Sequence, residues 1–215
     1  MTPRDSQPSS QSATYALLLA AGKGQRFGGE KLLASFHGRP LLQPVLEAIA
    51  QARVQGWLSG AVAVCSSGLV ATLVEQGGIQ TELNHDPAAG LSHSLRLGLT
   101  ALTRQNLDPR PTAALIILGD QPELSVETIR ALVLAGRGQA HPIVRPRYLE
   151  RPEAPGHPVL LDRAHWNLAD ELSGDTGLGP LLRARPHLVT TIDLPGRNRD
   201  IDTVADLDAT DRVRQ

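Results

Sequence analysis

Cysteine, methionine, lysine and aromatic residues are all scarce in this 215-residue chain: one Cys, one Met, two Lys and six aromatics. A lone cysteine, Cys65, excludes a disulfide framework and a thiolate zinc site, and it fits a reducing compartment. Six aromatics are too few for a base-stacking platform. The 21 basic and 22 acidic residues leave a net charge of −1. That balance gives no basic stripe to neutralise a phosphate backbone, so nucleic acid is excluded as a partner. No window reaches the roughly 18 apolar residues of a membrane span. The N-terminus lacks the charged-then-apolar order of a secretory signal. Together these absences predict a soluble, cytoplasmic globular protein with no membrane partner.

The lysine scarcity is itself a pointer. Nineteen basic residues are Arg, and the only two lysines, Lys23 and Lys31, fall in the same short stretch, 22–31. Lysine is a compact point charge on a flexible stem, and arginine cannot replace it where an ammonium must fit between phosphate oxygens.

The length suits one sizeable core. Residues 1–13 are Ser-, Gln- and Pro-rich without apolar period and read as a flexible tail, leaving 14–215 as a single domain. From Tyr15 onward, strands and helices alternate. Residues 15–20, 61–64, 79–83 and 113–118 read as strands, and 41–55, 69–76, 91–103 and 126–135 as helices. Two short β segments at 142–145 and 158–161 follow, linked by a Pro-rich stretch. The chain then closes with helices at 164–172 and 178–183, a strand at 187–192 and a short helix from Val204. The expected fold is α/β, a three-layer, mostly parallel sheet with helices on both faces. Ligands in such sheets bind beyond the carboxyl ends of the strands.

The first strand runs into Ala20-Ala21-Gly22-Lys23-Gly24-Gln25-Arg26-Phe27-Gly28-Gly29-Glu30-Lys31. Glycines let backbone N–H groups approach an anion while the cations neutralise it, so this is a candidate phosphate-binding turn. The plain alternative is a flexible turn with solvated charges. The dinucleotide fingerprint fails at Phe27, and the P-loop fails because Leu32 stands where a hydroxyl is needed. Asp120, just past the strand 113–118, suits Mg²⁺ at the binding edge. It could instead cap the next helix, but Ser125 is the better cap. Asn84 and Gly90-x-Ser92-x-Ser94 precede a helix, where hydroxyls and exposed N–H groups suit an anion or ribose, or simply cap it. The stretch Asp200-Ile201-Asp202 reads as a strand end whose carboxylates diverge, so that only one of them meets a metal. Asp202-Thr203 is alternatively a helix cap. Asp175 lies in a Gly-flanked turn. The seven histidines show no ligand spacing, and Cys65 reads as core.

The set Leu19-Ala20-Ala21-Gly22-x-Gly24-x-Arg26-x-Gly28-x-x-Lys31, Asn84–Leu95, Leu118-Gly119-Asp120-Gln121-Pro122, Gly156-His157-Pro158, Ser173-Gly174-Asp175-Thr176 and Asp200-Ile201-Asp202-Thr203, in this order, resembles the MobA-like NTP transferases. These are nucleotidyltransferases of the nucleotide-diphospho-sugar transferase-like fold, and the similarity is strongest to the molybdenum cofactor cytidylyltransferases. The resemblance implies transfer of CMP from CTP to the phosphate of molybdopterin, with release of pyrophosphate and Mg²⁺ as cofactor. It makes Lys31, Arg26 and Asp120 catalytic, and Ala20, Ala21, Gly22, Lys23, Gly24, Arg26, Lys31, Asn84, Gly90 and Ser92 nucleotide-binding. It further makes Asp120 and Asp202 metal ligands, His157 and Asp175 acceptor contacts, and a molybdoenzyme the client.

Two departures stand out. Phe27 replaces the common Met, and the segment 149–155 carries extra Pro and Glu where acceptor contacts are expected. A guanylyltransferase of the same branch usually has a second glycine where Ala21 stands. The isoprenoid cytidylyltransferases share the opening loop, but their His-Asp-Ala-Ala-Arg-type segment is missing here. A non-catalytic molybdenum-cofactor chaperone would not need the carboxylate of Asp120.

Overall fold

The computed structural model describes residues 13–22, 30–153 and 156–207. The chain enters the fold with β1 (Thr14–Ala20), buried along its whole length, as an apolar run without alternation requires for a strand covered on both faces. A short hairpin, β2 (Ser35–Phe36) and β3 (Arg39–Pro40), leads to α1 (Gln43–Val54). Then come β4 (Gly60–Cys65), α2 (Gly68–Gln76), β5 (Gln80–Leu83), α3 (Leu91–Arg104), β6 (Ala113–Leu118) and α4 (Val126–Gly136). The last part holds β7 (Ile143–Tyr148), β8 (Val159–Asp162), a 3-10 stretch (Arg163–Glu171), α5 (Leu178–Ala184) and β9 (Val189–Leu194). Ala13, assigned by sequence to the tail, is buried and its N–H donates to Thr112 Oγ1, so it belongs to the domain.

Seven strands form one sheet in the order β5-β4-β1-β6-β8-β7-β9. β1, β4, β5 and β6 are mutually parallel, as are β7 and β9. β8 runs antiparallel to both of its neighbours. The cause is visible in the connection: the described residues between β7 and β8 hold no crossover helix, and without one a returning strand pairs antiparallel. The segment 163–171, expected as an α-helix, is wound as a 3-10 helix with Asp162 accepting from the Ala164 N–H.

Alternate residues of the central strands feed opposite cores. Ala16, Leu18, Leu115 and Ile117 pack with α1, α2 and α4, while Leu17, Leu19, Ala114 and Ile116 pack with α3, the 3-10 stretch and α5. A third, small cluster joins Phe36 and Leu41 to Ile201 and Leu207, and it fixes the C-terminal segment against the hairpin. Cys65 is buried, and burial, with Glu75 nearby, pushes its thiol up to about 12, as a core residue requires. No helix among the described residues is long and apolar enough to cross a membrane.

Helix α3 lies close on the sheet because Gly98 has no side chain: a Cβ there would sit 2.2 Å from Leu17 Cδ1 and 3.0 Å from Val64 Cγ2. Gly98→Val should therefore destabilise the protein by at least about 2 kcal/mol, as overpacking of a dense core does. Leu17→Ala alone should cost about 2–5 kcal/mol. Urea denaturation of both single variants and the double variant checks this. The double variant should lose less than the sum, because the two side chains compete for one space. Strict additivity would disprove the contact.

Candidate functional site

The site lies where the chain reverses its order of strand addition, β4 being added on one side of β1 and β6 on the other. A cleft of about 470 Å³ opens there, lined on the sheet side by Leu19, Ala21, Leu118 and Asp120. This is the crevice beyond the carboxyl ends that the topology predicts.

Lys31 begins a single 3-10 turn (Lys31–Leu33) that is anchored by buried Leu32 and by the Leu42 N–H donating to Leu32 O at 3.0 Å. Its ammonium donates to Asp120 Oδ2 at 2.7 Å and to Asp202 Oδ1 at 3.1 Å. The three side chains come from distant parts of the sequence. Their exposures are 11% for Lys31, 24% for Asp120 and 57% for Asp202, so the lysine is the buried centre of the group. Burial works against its charge, but Asp120 and Asp202 outweigh it and raise the ammonium above its ordinary value. Asp120 Oδ1 is buried and finds no hydrogen-bond partner among the described residues.

Asp120 is pinned by its backbone, since the Ile201 N–H donates to Asp120 O at 3.0 Å. It does not cap α4: Ser125 Oγ accepts from the Thr128 N–H at 3.2 Å, as expected. The expectation that Asp200 and Asp202 diverge is corrected. In extended backbone, residues two apart share a side. Ile201 is buried in the small C-terminal cluster, and both carboxylates line the cleft. Nor is Asp202 the cap of the turn that starts at Val204. Thr203 Oγ1 accepts from the Asp206 N–H, and Asp206 Oδ2 accepts from the Thr203 N–H, a reciprocal capping pair. Asp202 is thus left to face Lys31. Asp200 accepts from Gln121 Nε2 at 2.8 Å. Burial first, then the charge of Asp120, pushes its carboxyl up to about 6, against the Gln121 bond and Lys31.

Among the described lining residues, Lys31 is the one cation facing the carboxylates of Asp120, Asp175, Asp200 and Asp202. A triphosphate entering such a cleft meets excess negative charge unless a divalent cation accompanies it. Among the described residues no group of three or more His, Cys, Asp or Glu is arranged to hold an ion alone. Mg²⁺ characteristically takes one or two carboxylates and completes its shell with waters and phosphate oxygens. The residues present, with the orphaned oxygen of Asp120, fit that kind of ion.

The remaining expected residues divide. Ala21, Gly22, Gly90 and Asp175 line the cleft, and Ala20 is buried behind it at the end of β1. Lys23, Gly24 and Arg26 lie outside the described residues. Asn84 and Ser92 are buried and do not line the cleft. Asn84 Nδ2 instead donates to Ser94 Oγ at 3.0 Å, and it is Ser94 that reaches the lining. Gly90, at φ 86°, is required by packing: a Cβ would lie 2.3 Å from the backbone carbon of Gly174. His157 lines a separate, adjoining cavity of about 390 Å³ that shares Leu118, Asp200 and Asp202 with the first. Beside Gln121 and Arg151, which lie in stretches already marked in the sequence, that second cavity holds three residues that sequence reasoning passed over: Arg197, Asn198 and Arg199. A signal was available, because the run Arg197-Asn198-Arg199 immediately precedes Asp200.

Residues 16–191 match the MobA-like NTP transferase domain. The nicotine blue oxidoreductase of Paenarthrobacter nicotinovorans is 31% identical over 200 residues, covering 87% of this chain and 91% of that protein. The crystal structure of Rv0371c from Mycobacterium tuberculosis H37Rv superposes with a TM-score of 0.74 at 25% identity, covering 94% of this chain and 98% of that one. A manganese complex of Rv0371c gives 0.72 at 26% identity, covering 92% and 97%. The CMP:2-keto-3-deoxy-manno-octonic acid synthetase complexed with CTP shares the fold, with a TM-score of 0.73 at 14% identity over 94% of this chain and 98% of that one. By the extent of the matched domain and the placement of Lys31 and Asp120 at its cleft, the chain belongs to the MobA-like NTP transferase family of nucleotidyltransferases.

Proposed function

We propose that this nucleotidyltransferase moves CMP from CTP to the terminal phosphate of a molybdopterin-type cofactor and releases pyrophosphate, with residues 14–215 acting as one catalytic domain. The observation that carries the reading is Lys31, held between Asp120 and Asp202 at the carboxyl edge of β1 and β6. An ammonium has three N–H donors. Two are committed to the carboxylates, and the third is the one to meet the α-phosphate.

An acceptor phosphate oxygen attacks the α-phosphorus in line, and the bond to the β-phosphate breaks as pyrophosphate leaves. Such a step needs alignment and charge neutralisation more than covalent help. The acceptor phosphate is already ionised at neutral pH, so no general base is required. Lys23 and Arg26 are assigned to the β- and γ-phosphates. Ala20, Ala21, Gly22, Gly24 and Gly90 are assigned to the nucleotide, with Ser94 taking the place expected of Ser92. Asp120 and Asp202 would hold Mg²⁺. When bound, the ion would supply further charge neutralisation at the α-phosphate. His157 and Asp175 are assigned to the acceptor, a molybdoenzyme would be the client, and the cytoplasm the compartment.

Pyrophosphate release from CTP or GTP, with molybdopterin as acceptor, tests the reading. CTP should be used at least about tenfold better, because the Ala21 methyl group narrows the cleft beside the base. A GTP preference would return the chain to guanylyl transfer. Binding of the cofactor without turnover would make it a chaperone. Turnover of nicotine blue without release of pyrophosphate would place it with the activity named in the Paenarthrobacter relative.

Asp120→Asn should keep the fold and abolish turnover, which circular dichroism and the same assay check on one sample. Lys31→Arg should lower kcat more than it raises KM, because a wider, more diffuse guanidinium cannot act as a point charge where charge grows in the transition state. An unchanged kcat would remove Lys31 from the chemistry.

The assigned role of His157 is that of a neutral hydrogen-bonder. Burial holds its imidazole down at about 4 against an ordinary 6.5, with Asp120 opposing and Arg145 reinforcing the effect. Above pH 6.5 both folded and unfolded chains carry the neutral ring, and this contribution to stability is complete. Between pH 6.5 and 4 the unfolded chain gains a proton that the folded one refuses, so stability falls. From pH 7 to pH 4.5 the wild type should lose about 2 kcal/mol more than His157→Gln, measured by urea denaturation at each pH. Equal losses would place the ring in solvent.

A further inference from the structure

The second cavity has its own chemistry. It adjoins the nucleotide cleft through Leu118, Asp200 and Asp202, so a molecule occupying it reaches the Lys31 group from the side away from Ala21. Its charges are segregated along the chain. Asp200 and Asp202 stand at the shared rim and Asp206 also lines the cavity, while Arg151, Arg197 and Arg199 supply the cations, Arg197 with Glu150 3.9 Å away.

The arginines are presented in an ordered way. Glu123 accepts from Arg197 Nε at 3.0 Å and from the Arg199 N–H at 3.3 Å, which holds the backbone between them. Asn198, between the two, donates to Gln121 Oε1 at 2.9 Å and to His157 O at 3.2 Å. Tyr148 OH donates to the same carbonyl at 2.9 Å. Gln121 is itself buried and bonded onward to Asp200. One polar chain therefore ties the arginine-bearing arm to the reacting edge. Asn198 Oδ1 is buried and has no partner among the described residues. An unpaired buried acceptor costs free energy unless something supplies a donor, and a ligand N–H or O–H would do so. Arg151, the third cation, is 58% exposed, and its nearest acid is Glu153 at 3.6 Å. It comes from the Pro- and Glu-rich segment singled out in the sequence as unusual.

We propose that the second cavity is the acceptor subsite and that it selects an acceptor carrying an anionic group, phosphate or carboxylate, separate from the phosphate that reacts. Arg197 and Arg151 grip that remote anion, Asn198 Oδ1 receives a donor from the middle of the molecule, and the reacting end projects over Asp200 and Asp202. Guanidinium forks match both oxyanions bidentately. Neutral His157 leaves the grip to the arginines. A lipid or purely apolar acceptor would leave these groups unpaired and is selected against. Molybdopterin itself offers only the phosphate that reacts, so the proposal rests on the nucleotidyl-transfer reading and not on that acceptor.

The test is calorimetric titration of the full chain with inorganic phosphate, and separately with malonate, while α,β-methylene-CTP and Mg²⁺ fill the first cleft. The wild type should bind one anion, more weakly as salt is raised. Tighter phosphate or tighter malonate binding would each support the site and name the class of the remote group. Arg197→Gln should weaken anion binding at least tenfold and Arg151→Gln severalfold, both leaving the affinity for the CTP analogue within twofold. Arg151→Gln guards against misfolding, since its side chain is exposed, and thermal melts accompany both variants. No anion bound beside the analogue, or wild-type affinity in both variants, overturns the proposal. Failure of the analogue to bind overturns the nucleotide reading instead, and the phosphate titration of the two variants then still decides the anion site.

Discussion

The ammonium of Lys31 between Asp120 and Asp202 is the constraint around which the rest of the structure is arranged. Three segments far apart in sequence must converge for it to exist. β6 delivers Asp120, the turn anchored by Leu32 delivers Lys31, and the buried Ile201 delivers Asp202. None of the three is held mainly by its own charge. Each is held by an apolar neighbour or a backbone hydrogen bond, with Leu32 and Ile201 in cores and the Ile201 N–H on Asp120 O. A charged group on so rigid a frame cannot relax away from a poor charge balance. The balance is therefore available to a ligand that corrects it.

Much of this frame was legible in the sequence because it rests on unbroken apolar runs. The runs 15–20 and 113–118 could only be buried strands, and the heptad-like leucines of 91–102 could only be one helical stripe. What escaped was set by partners rather than by local pattern. β2 and β3 are two residues each and carry no period at all. The antiparallel course of β8 follows from a missing crossover helix, a signal that was present between residues 148 and 158 but was read only as a Pro-rich link. The 3-10 winding of 163–171 has the composition of an α-helix and differs only in its hydrogen bonds.

The site divides in the same way. Lys31 and Asp120 were visible because each is chemically out of place: a lysine in an arginine-rich chain, and a carboxylate at the end of a buried strand. Asn84 and Ser92 have the residue types of a binding loop but are used to build it, Asn84 bonding Ser94 and Ser92 buried beneath the lining. Residue type alone does not distinguish a hydroxyl that faces a ligand from one that faces its neighbour, and helical phase does. Ser92 and Ser94 are two apart on α3, about 200° around the axis, so only one of them could face the cleft. The two aspartates failed for the opposite reason, since two apart in extended backbone means one side, and the same spacing carries opposite meanings in the two geometries.

The retention of lysine at position 31 then has a physical basis. Arg39, Arg147, Arg185 and Arg197 each engage an acid through a guanidinium, and at such places a broad, bidentate cation serves well. At position 31 the cation contacts Asp120 and Asp202 in a space bounded by Leu32 and the ends of β1 and β6, and on the proposed function it must also leave room for phosphate. A guanidinium would satisfy the two carboxylates in its own plane and project its bulk into the cleft. An ammonium satisfies them with two of its three donors and occupies little more than a water's volume. Asp120 and Asp202 keep that ammonium charged, and with Asp175 and Asp200 on the same cleft they leave an excess of negative charge there. On the proposed function, the lysine fixed by the fold and a metal brought in with the nucleotide would be complementary, since one ammonium does not balance four carboxylates.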